Sequence, residues 1–406
     1  MARVFKNGQC FINDLTHEEM KNYRILIVAW YANLHHVSEF VRNLKKTNPK
    51  VEVSLVYNKP KVESIPDDLM ENASELFDVK LYSGKIRIRL LREVVTIVSF
   101  MNSFVRIAKN KYDIVNIHYA RPWLYYVIPW IKKLSKRIVI SPWGSDVFRI
   151  EEERDIKHLR KVYSIADFVT NSKDSFIGQQ VITKFKVNPN KMVKLSWGGE
   201  FFDFIQENSS NVSTAEAKKR FELDGRYVIT CGYNPLKQQR HEEIIDAIHS
   251  VRDQLPQNLT LLLPFTYCDG WTEEYRKSIK EKGKGLGFDL VAVEERLNMP
   301  DLLKLRMATD MFIHVQASDA GARSVMEYVA CNKKVVHGSW VKYAYLEDYH
   351  PSCYFPVDCM ENLGECIIKA YNTPIGPLPQ EVMNIILERG WNRKMRLWNS
   401  FFESLI

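Results

Sequence analysis

Apolar residues in this chain come in short unbroken runs, separated by longer stretches of helical spacing. ILIVAW (25–30), VEVSLVY (51–57), FDVKLY (77–82), DIVNIH (113–118) and RIVISP (137–142) are strand-length runs with few polar breaks. DFVTNS (167–172) and KMVKLSW (191–197) continue the series. Between them, HVSEFVRNLKK and residues 122–135 repeat apolar side chains at helical intervals, and residues 87–110 read as one long amphipathic helix or two. Buried strands alternating with helices predict a parallel sheet with helices on both faces.

The pattern then restarts. RYVITCGY (226–233), LTLLLPF (259–265), FDLVAV (288–293), MFIHVQ (311–316) and KKVVHG (333–338) read as strands. HEEIIDAIHSV, residues 271–283, MPDLLKLRMATD and GARSVMEYVACN read as the helices between them. The expected fold class is therefore α/β, with two doubly wound Rossmann-like halves, as suits 406 residues. FIQENSSNVSTAEAK is polar and serine-rich, and reads as a joint near 203–224. The division expected is 1–203, 204–380, and a helix over 381–406 that could lie across both halves. Two such domains facing each other leave a cleft, and open parallel sheets bind ligands at the carboxyl ends of their strands.

Composition narrows this only a little. Net charge is +8, from 57 basic and 49 acidic residues, which suits an anionic ligand or anionic membrane surface and is too dispersed to argue for nucleic acid. The seven cysteines form no C-x-x-C pair, which favours a reduced, cytoplasmic setting. Cys359 and Cys366 near His350 lack zinc-ligand spacing, so no metal is expected. The N-terminus has no apolar core of signal-peptide length, and no apolar run reaches the roughly 20 residues that span a bilayer. KIRIRLLREVVTIVSFMNSFVRIAK (85–109) mixes basic and apolar residues; it reads either as a helix on an anionic membrane or as a buried helix with a basic end.

The candidate chemistry follows predicted strands. After MFIHVQ, A-S-D-A-G-A turns and R-S-V-M-E-Y begins a helix. Small residues let backbone N–H groups of 321–324 (Gly321, Ala322, Arg323, Ser324) approach a ligand, and a helix start favours phosphate. Glu327 falls about one turn into that helix, where a carboxylate can accept hydroxyls from a ribose; Asp319 sits in the turn. A capped helix with a routine acid explains the same residues equally well. After RYVITCGY, the loop NPLKQQRH carries Lys237, Arg240 and His241 into a helix. Cations disfavour a bare helix start, and an anion such as a leaving diphosphate would reconcile them; a solvated basic loop is the alternative. In the first half, His118 ends a strand in NIHYARPW, and Asp146 follows another in SPWGSDVFR. These could orient a sugar or acceptor, although a lone histidine there is more often structural.

Taken together, D-A-G-A-R-S-V-M-E, CGYNPLKQQRHEEII, W-G-S-D-V, ADFVTNSKDSF (166–176) and KLSWGGEFFDF (194–204) resemble the retaining nucleotide-sugar glycosyltransferases of GT-B fold, glycosyltransferase family 4. The likeness runs from about 113 to 345 and is strongest in the C-terminal half. There are departures. Asp319-Ala-Gly-Ala stands where the family usually has Glu and Gly-Phe-Gly, Tyr233 stands at the usual arginine, and Trp143-Gly144 replaces His-Gly.

The resemblance implies that the C-terminal domain binds a nucleotide-sugar donor. Glu327 would hold the ribose; Lys237, Arg240 and the backbone N–H groups of 321–324 would neutralise the leaving diphosphate, and His241 would take part in donor binding. Asp319 would contact the donor sugar, with His118 and Asp146 facing the reacting sugar and acceptor. It implies retention without a metal or other cofactor, and a saccharide or lipid-linked acceptor in surface polysaccharide or glycoconjugate synthesis. It also implies work in the cytoplasm or at the inner face of the membrane. An inverting GT-B transferase, an epimerase and a non-enzymatic nucleotide-binding protein are the alternatives.

Overall fold

The computed structural model describes residues 20–30, 34–59, 65–80, 89–107, 111–266, 272–317 and 322–406. The chain divides into two compact units. One comprises Met1–Glu200 and Trp391–Ile406, and the other Phe201–Gly390.

The first unit is built on a seven-stranded sheet of β1 (Arg24–Ala29), β2 (Glu52–Lys59), β3 (Glu75–Lys80), β4 (Ile114–His118), β5 (Arg137–Ser141), β6 (Phe168–Thr170) and β7 (Met192–Val193). The order is β3-β2-β1-β4-β5-β6-β7, with every pair parallel. The apolar runs become strands because both faces are covered. Leu26, Val115 and Ile140 pack into a core on one side, and Ile25, Ile114 and Val139 into a core on the other. Residues 87–110 give one helix, Arg89–Ile107. KMVKLSW yields only a two-residue strand, because the chain turns at once, with the Leu195 N–H donating to the Val193 carbonyl at 2.6 Å.

The C-terminal helix Trp391–Ser404 completes the second of these cores with Trp391, Met395, Trp398, Phe401 and Phe402. Its first ring lies so close to Gly198 that a Cβ there would stand 2.4 Å from Trp391.

The second unit carries β8 (Tyr227–Cys231), β9 (Leu259–Pro264), β10 (Asp289–Val293), β11 (Met311–His314), β12 (Lys334–Gly338) and β13 (Tyr354–Val357). Its all-parallel order is β10-β9-β8-β11-β12-β13. In each sheet the order reverses beside the first strand, between β1 and β4 and between β8 and β11, the crevice where such folds bind ligands.

Two segments differ from the sequence reading. The polar stretch near 203–224 is not an irregular joint: it holds the helices Glu200–Asn208 and Thr214–Arg220. Phe201, Phe202 and Ile205 bury one side of the first, and the Ser213 side chain caps the second by accepting from the Glu216 N–H. β13 was not foreseen; it is a short strand at the sheet's edge, where an exposed Pro356 is tolerated.

Candidate active site

In the second unit, the loops after β8 and β11 are joined by side chains. β8 ends at Cys231, and Gly232 then turns with φ +62°. A Cβ there would also lie 2.9 Å from Gln239 Oε1 and 3.0 Å from His241 Nε2, so the turn needs glycine twice over. Lys237–Gln239 forms one 3₁₀ turn, Arg240 adopts a left-handed conformation with φ 59°, and the helix His241–Ser250 follows.

Gln316, just past β11, is the point of attachment. Gln239 Nε2 donates to its side-chain oxygen at 2.6 Å, and the Tyr233 hydroxyl donates to the same atom at 3.0 Å. Its backbone carbonyl accepts from Trp340 Nε1 at 2.7 Å. The Ala317 N–H donates to the Gln238 carbonyl at 3.2 Å. Lys237 is exposed, and the Arg240 guanidinium lies 5.6 Å from the centre of the Trp340 ring. The two sequence-predicted motifs, the basic loop and the start of the small-residue elbow, are thus one assembly. Gln239, Gln316 and Trp340, which hold it together, were not singled out in the sequence. Their signal is weak, since each is an ordinary residue at a strand or loop end.

His241 is placed differently from the sequence reading. It is fully buried beneath Gly232, with Nδ1 3.1 Å from the Tyr275 hydroxyl, and burial pulls its ring down to about 3. A neutral ring in this place supports the loop from beneath.

Asp319 and Gly321 lie outside the described residues. Ala322 precedes the helix Arg323–Ala330, and its carbonyl accepts from the Tyr343 hydroxyl at 3.3 Å. Arg323 opens that helix half-buried, and the Ser324 side chain is buried. Glu327 is buried and paired: its Oε2 accepts from Arg306 Nη2 at 2.8 Å and Nε at 3.0 Å. Arg306 Nη1 also donates to the Tyr328 hydroxyl at 3.1 Å, and the guanidinium packs 4.6 Å from that ring. Arg306 comes from the preceding helix Met299–Ala308, and no motif marked it.

In the first unit, His118 and Asp146 follow the adjacent strands β4 and β5, with His118 opposite Ser141 in register. Both are buried. Ser141 Oγ donates to Asn116 Oδ1 at 2.9 Å, and Asn116 Nδ2 meets His118 Nε2 at 2.9 Å. This chain makes Nε2 the acceptor and leaves the ring proton on Nδ1. Phe40, Trp143 and Trp197 surround the imidazole edge-on, at 5.2, 6.1 and 5.2 Å between centroids. Burial pulls His118 down to about 3, too low for a general base near neutrality. Asp146 folds back on its own turn, with Oδ1 accepting from the Trp143 and Gly144 N–H groups, both at 2.9 Å. Burial pushes its carboxyl up to about 6, against the opposing pull of those amides. Among the described residues no three His, Cys, Asp or Glu side chains gather as metal ligands, and no helix is long and apolar enough to cross a membrane.

Two parallel-sheet units with these loops are the architecture of GT-B glycosyltransferases. Residues 24–180 match the family model described as glycosyl transferase 4-like. Solved structures agree over nearly the whole chain. A glycosyltransferase from Rickettsia africae superposes with a TM-score of 0.68 at 16% identity, covering 95% of this chain and 98% of that one. Sucrose-phosphate synthase from Thermosynechococcus elongatus gives 0.63 at 13%, covering 94% and 97%. Anabaena HepE, solved with UDP and glucose, gives 0.60 at 12%, covering 95% and 97%. No curated relative matches the sequence. The chain thus has the GT-B fold, and residues 24–180 of it resemble the glycosyl transferase 4-like family.

Proposed function

We propose that this enzyme transfers a sugar from a nucleotide-sugar to a saccharide or lipid-linked acceptor, with retention of anomeric configuration. The observation that carries this reading is the joining of the β8 and β11 loops through Gln316, which holds Lys237 and Arg240 beside the start of the elbow. Lys237 and Arg240 stabilise the leaving diphosphate, together with the backbone N–H groups of the elbow. Glu327, positioned by Arg306, holds the ribose, and Asp319 contacts the donor sugar. The acceptor hydroxyl attacks the face from which the diphosphate departs, and a phosphate oxygen takes its proton. Positioning and electrostatics supply most of the rate, so no metal or other cofactor is required. His118 and Asp146 act indirectly, by holding the turn at 143–146. HepE has also been solved with UDP-glucose, which favours a nucleoside diphosphate donor here. We place the work in the cytoplasm, at the inner face of the membrane, in surface polysaccharide or glycoconjugate synthesis.

A thermal-shift screen against UDP-, GDP- and dTDP-sugars tests the reading, because a ligand that binds only the native state raises its apparent stability. One nucleotide series is expected to shift the melting temperature. No shift with any of the three, at concentrations up to millimolar, counts against a nucleotide-sugar donor.

A further inference from the structure

Arg240 is half-buried, yet no acid neutralises it. Among the described residues, no carboxylate pairs with its guanidinium and no oxygen accepts from it. It rests instead on the indole of Trp340, 5.6 Å from the centre of the ring. Other arginines of this unit are held by acids. Arg306 gives its fork to Glu327 and Tyr328, and Arg220 gives its own to Glu295 and Asp301. A carboxylate partner fixes a guanidinium, but it also occupies the donors and cancels the charge. An indole face holds the cation through the ring quadrupole and leaves both the donors and the charge for a ligand.

Trp340 is itself fixed from two neighbouring strands. β12 ends at Gly338, and the indole folds back over that residue. A Cβ built on Gly338 would meet three atoms of the ring, the farthest at 2.7 Å, so the glycine gives the ring its floor. On the β11 side, Nε1 donates to the Gln316 carbonyl at 2.7 Å. The turn that carries the ring is tied down as well. The Ser339 N–H donates to the Val357 carbonyl at 2.8 Å, and the Val341 N–H to the Gly338 carbonyl at 3.1 Å. A rigid indole thus holds a side chain that is otherwise rich in rotamers, and ordering it in advance lowers the cost of binding. Lys237, exposed on the same loop, adds charge without direction.

We propose that Trp340 is a positioning residue that holds Arg240 ready for a diphosphate, and that the site distinguishes a nucleoside diphosphate from a monophosphate through this pair. Trp340 touches no reacting atom; it acts through the guanidinium, whose planar fork suits paired phosphate oxygens. The inference rests on the donor reading above and adds to it the residue that sets phosphate discrimination.

The test is calorimetric titration of the full chain with UDP, GDP and dTDP, and with the corresponding monophosphates. The parent is expected to bind one diphosphate at least ~10-fold more tightly than its monophosphate. Trp340→Leu should weaken that diphosphate ~10-fold and Trp340→Phe ~3-fold, in the order of the ring faces they leave, with monophosphate affinity within ~2-fold of the parent. In an Arg240→Ala background neither substitution should weaken the diphosphate further, because the ring acts only through that guanidinium. If Trp340→Leu does not fold, Trp340→Phe carries the same comparison. A tryptophan that only fills space would weaken both ligands alike, or add its full loss to that of Arg240→Ala; either result overturns the inference. So does a parent without the diphosphate preference, or Trp340 variants that keep it in full, and both of these leave nucleotide binding itself standing. A parent that binds none of these nucleotides removes the donor reading, and this inference with it.

Discussion

Arg306 places both Nε and Nη2 on a single oxygen of Glu327, at 3.0 and 2.8 Å, with both side chains only 7% exposed. The acid proposed to hold the ribose is therefore also half of a buried ion pair. Removing either partner strands a charge, at a cost of about 3–5 kcal/mol. Glu327→Ala and Arg306→Ala should both lower stability by roughly that amount in urea unfolding. Replacing both at once, Arg306→Met with Glu327→Leu, should recover most of it, because well-packed apolar residues often substitute for a buried pair. The double variant should nonetheless fail to bind nucleotide. A stable double variant with undiminished nucleotide affinity would remove Glu327 from the ribose site.

Lys237 and Arg240 make the opposite prediction. Lys237 is exposed and Arg240 rests on Trp340, so neither carries the core. Arg240→Ala and Lys237→Ala should change stability by no more than about 1 kcal/mol. Turnover should fall by ~10²-fold or more if they stabilise the departing diphosphate. Steady-state rates with the donor identified by thermal shift supply the check.

Gly232→Ala forces a Cβ into a left-handed position already bordered by Gln239 and His241. Left-handed backbone costs about 1–2 kcal/mol for an ordinary residue, and the crowding adds to it. The variant should fold less stably and lose donor affinity together, because Gln239 is what ties the loop to Gln316. A melt paired with a nucleotide titration would show whether the two losses coincide.

Acid stability should reflect buried groups of opposing sign, three of which belong to the candidate residues. His118 and His241 are held down to about 3 by burial, so between pH ~6.5 and ~3 the unfolded chain binds protons that the native state refuses. Stability contributed by the two neutral rings is lost as pH falls through that window. Asp146, pushed up to about 6, behaves in reverse: between pH ~4 and ~6 the native state binds the extra proton, and acidification favours folding. Asp146→Asn removes this offset and should steepen the loss of stability on acidification, by up to ~1.4 kcal/mol per pH unit in that range. Chemical denaturation of parent and variant from pH 4 to 7 measures the difference directly.

Product stereochemistry is the remaining test of the chemistry. Retention predicts that the new glycosidic bond keeps the anomeric configuration of the donor, readable from the proton coupling at the anomeric carbon. An inverted product would move the enzyme to the alternative class without altering the fold.

The strands were legible because parallel sheets covered on both faces need uninterrupted apolar runs, such as ILIV in β1 and LTLLL in β9. β13 escaped because an edge strand tolerates a proline that argues against a strand in isolation. The helix Glu200–Asn208 was hidden by its polar composition, although Phe201, Phe202 and Ile205 recur on its buried side. In the candidate site, loops ending at glycine could be read directly, but their internal anchors could not. Arg306 meets Glu327 across two helices and an intervening strand, so no local spacing announces it. The burial of His118 depends on Phe40 and Trp197, each more than seventy residues away in sequence.

The closing helix also bears on how the protein is made. Trp398 donates to the Ser196 carbonyl at 3.2 Å, and Asn399 accepts from the Tyr23 hydroxyl at 3.0 Å. The core that includes β1 is thus finished by residues translated after the whole of the second unit. Phe201–Gly390 is continuous and can fold as soon as it emerges, while the first unit must wait, with the apolar faces that receive Trp391, Trp398 and Phe402 uncovered. During synthesis, the half of the molecule translated first is the half that matures last.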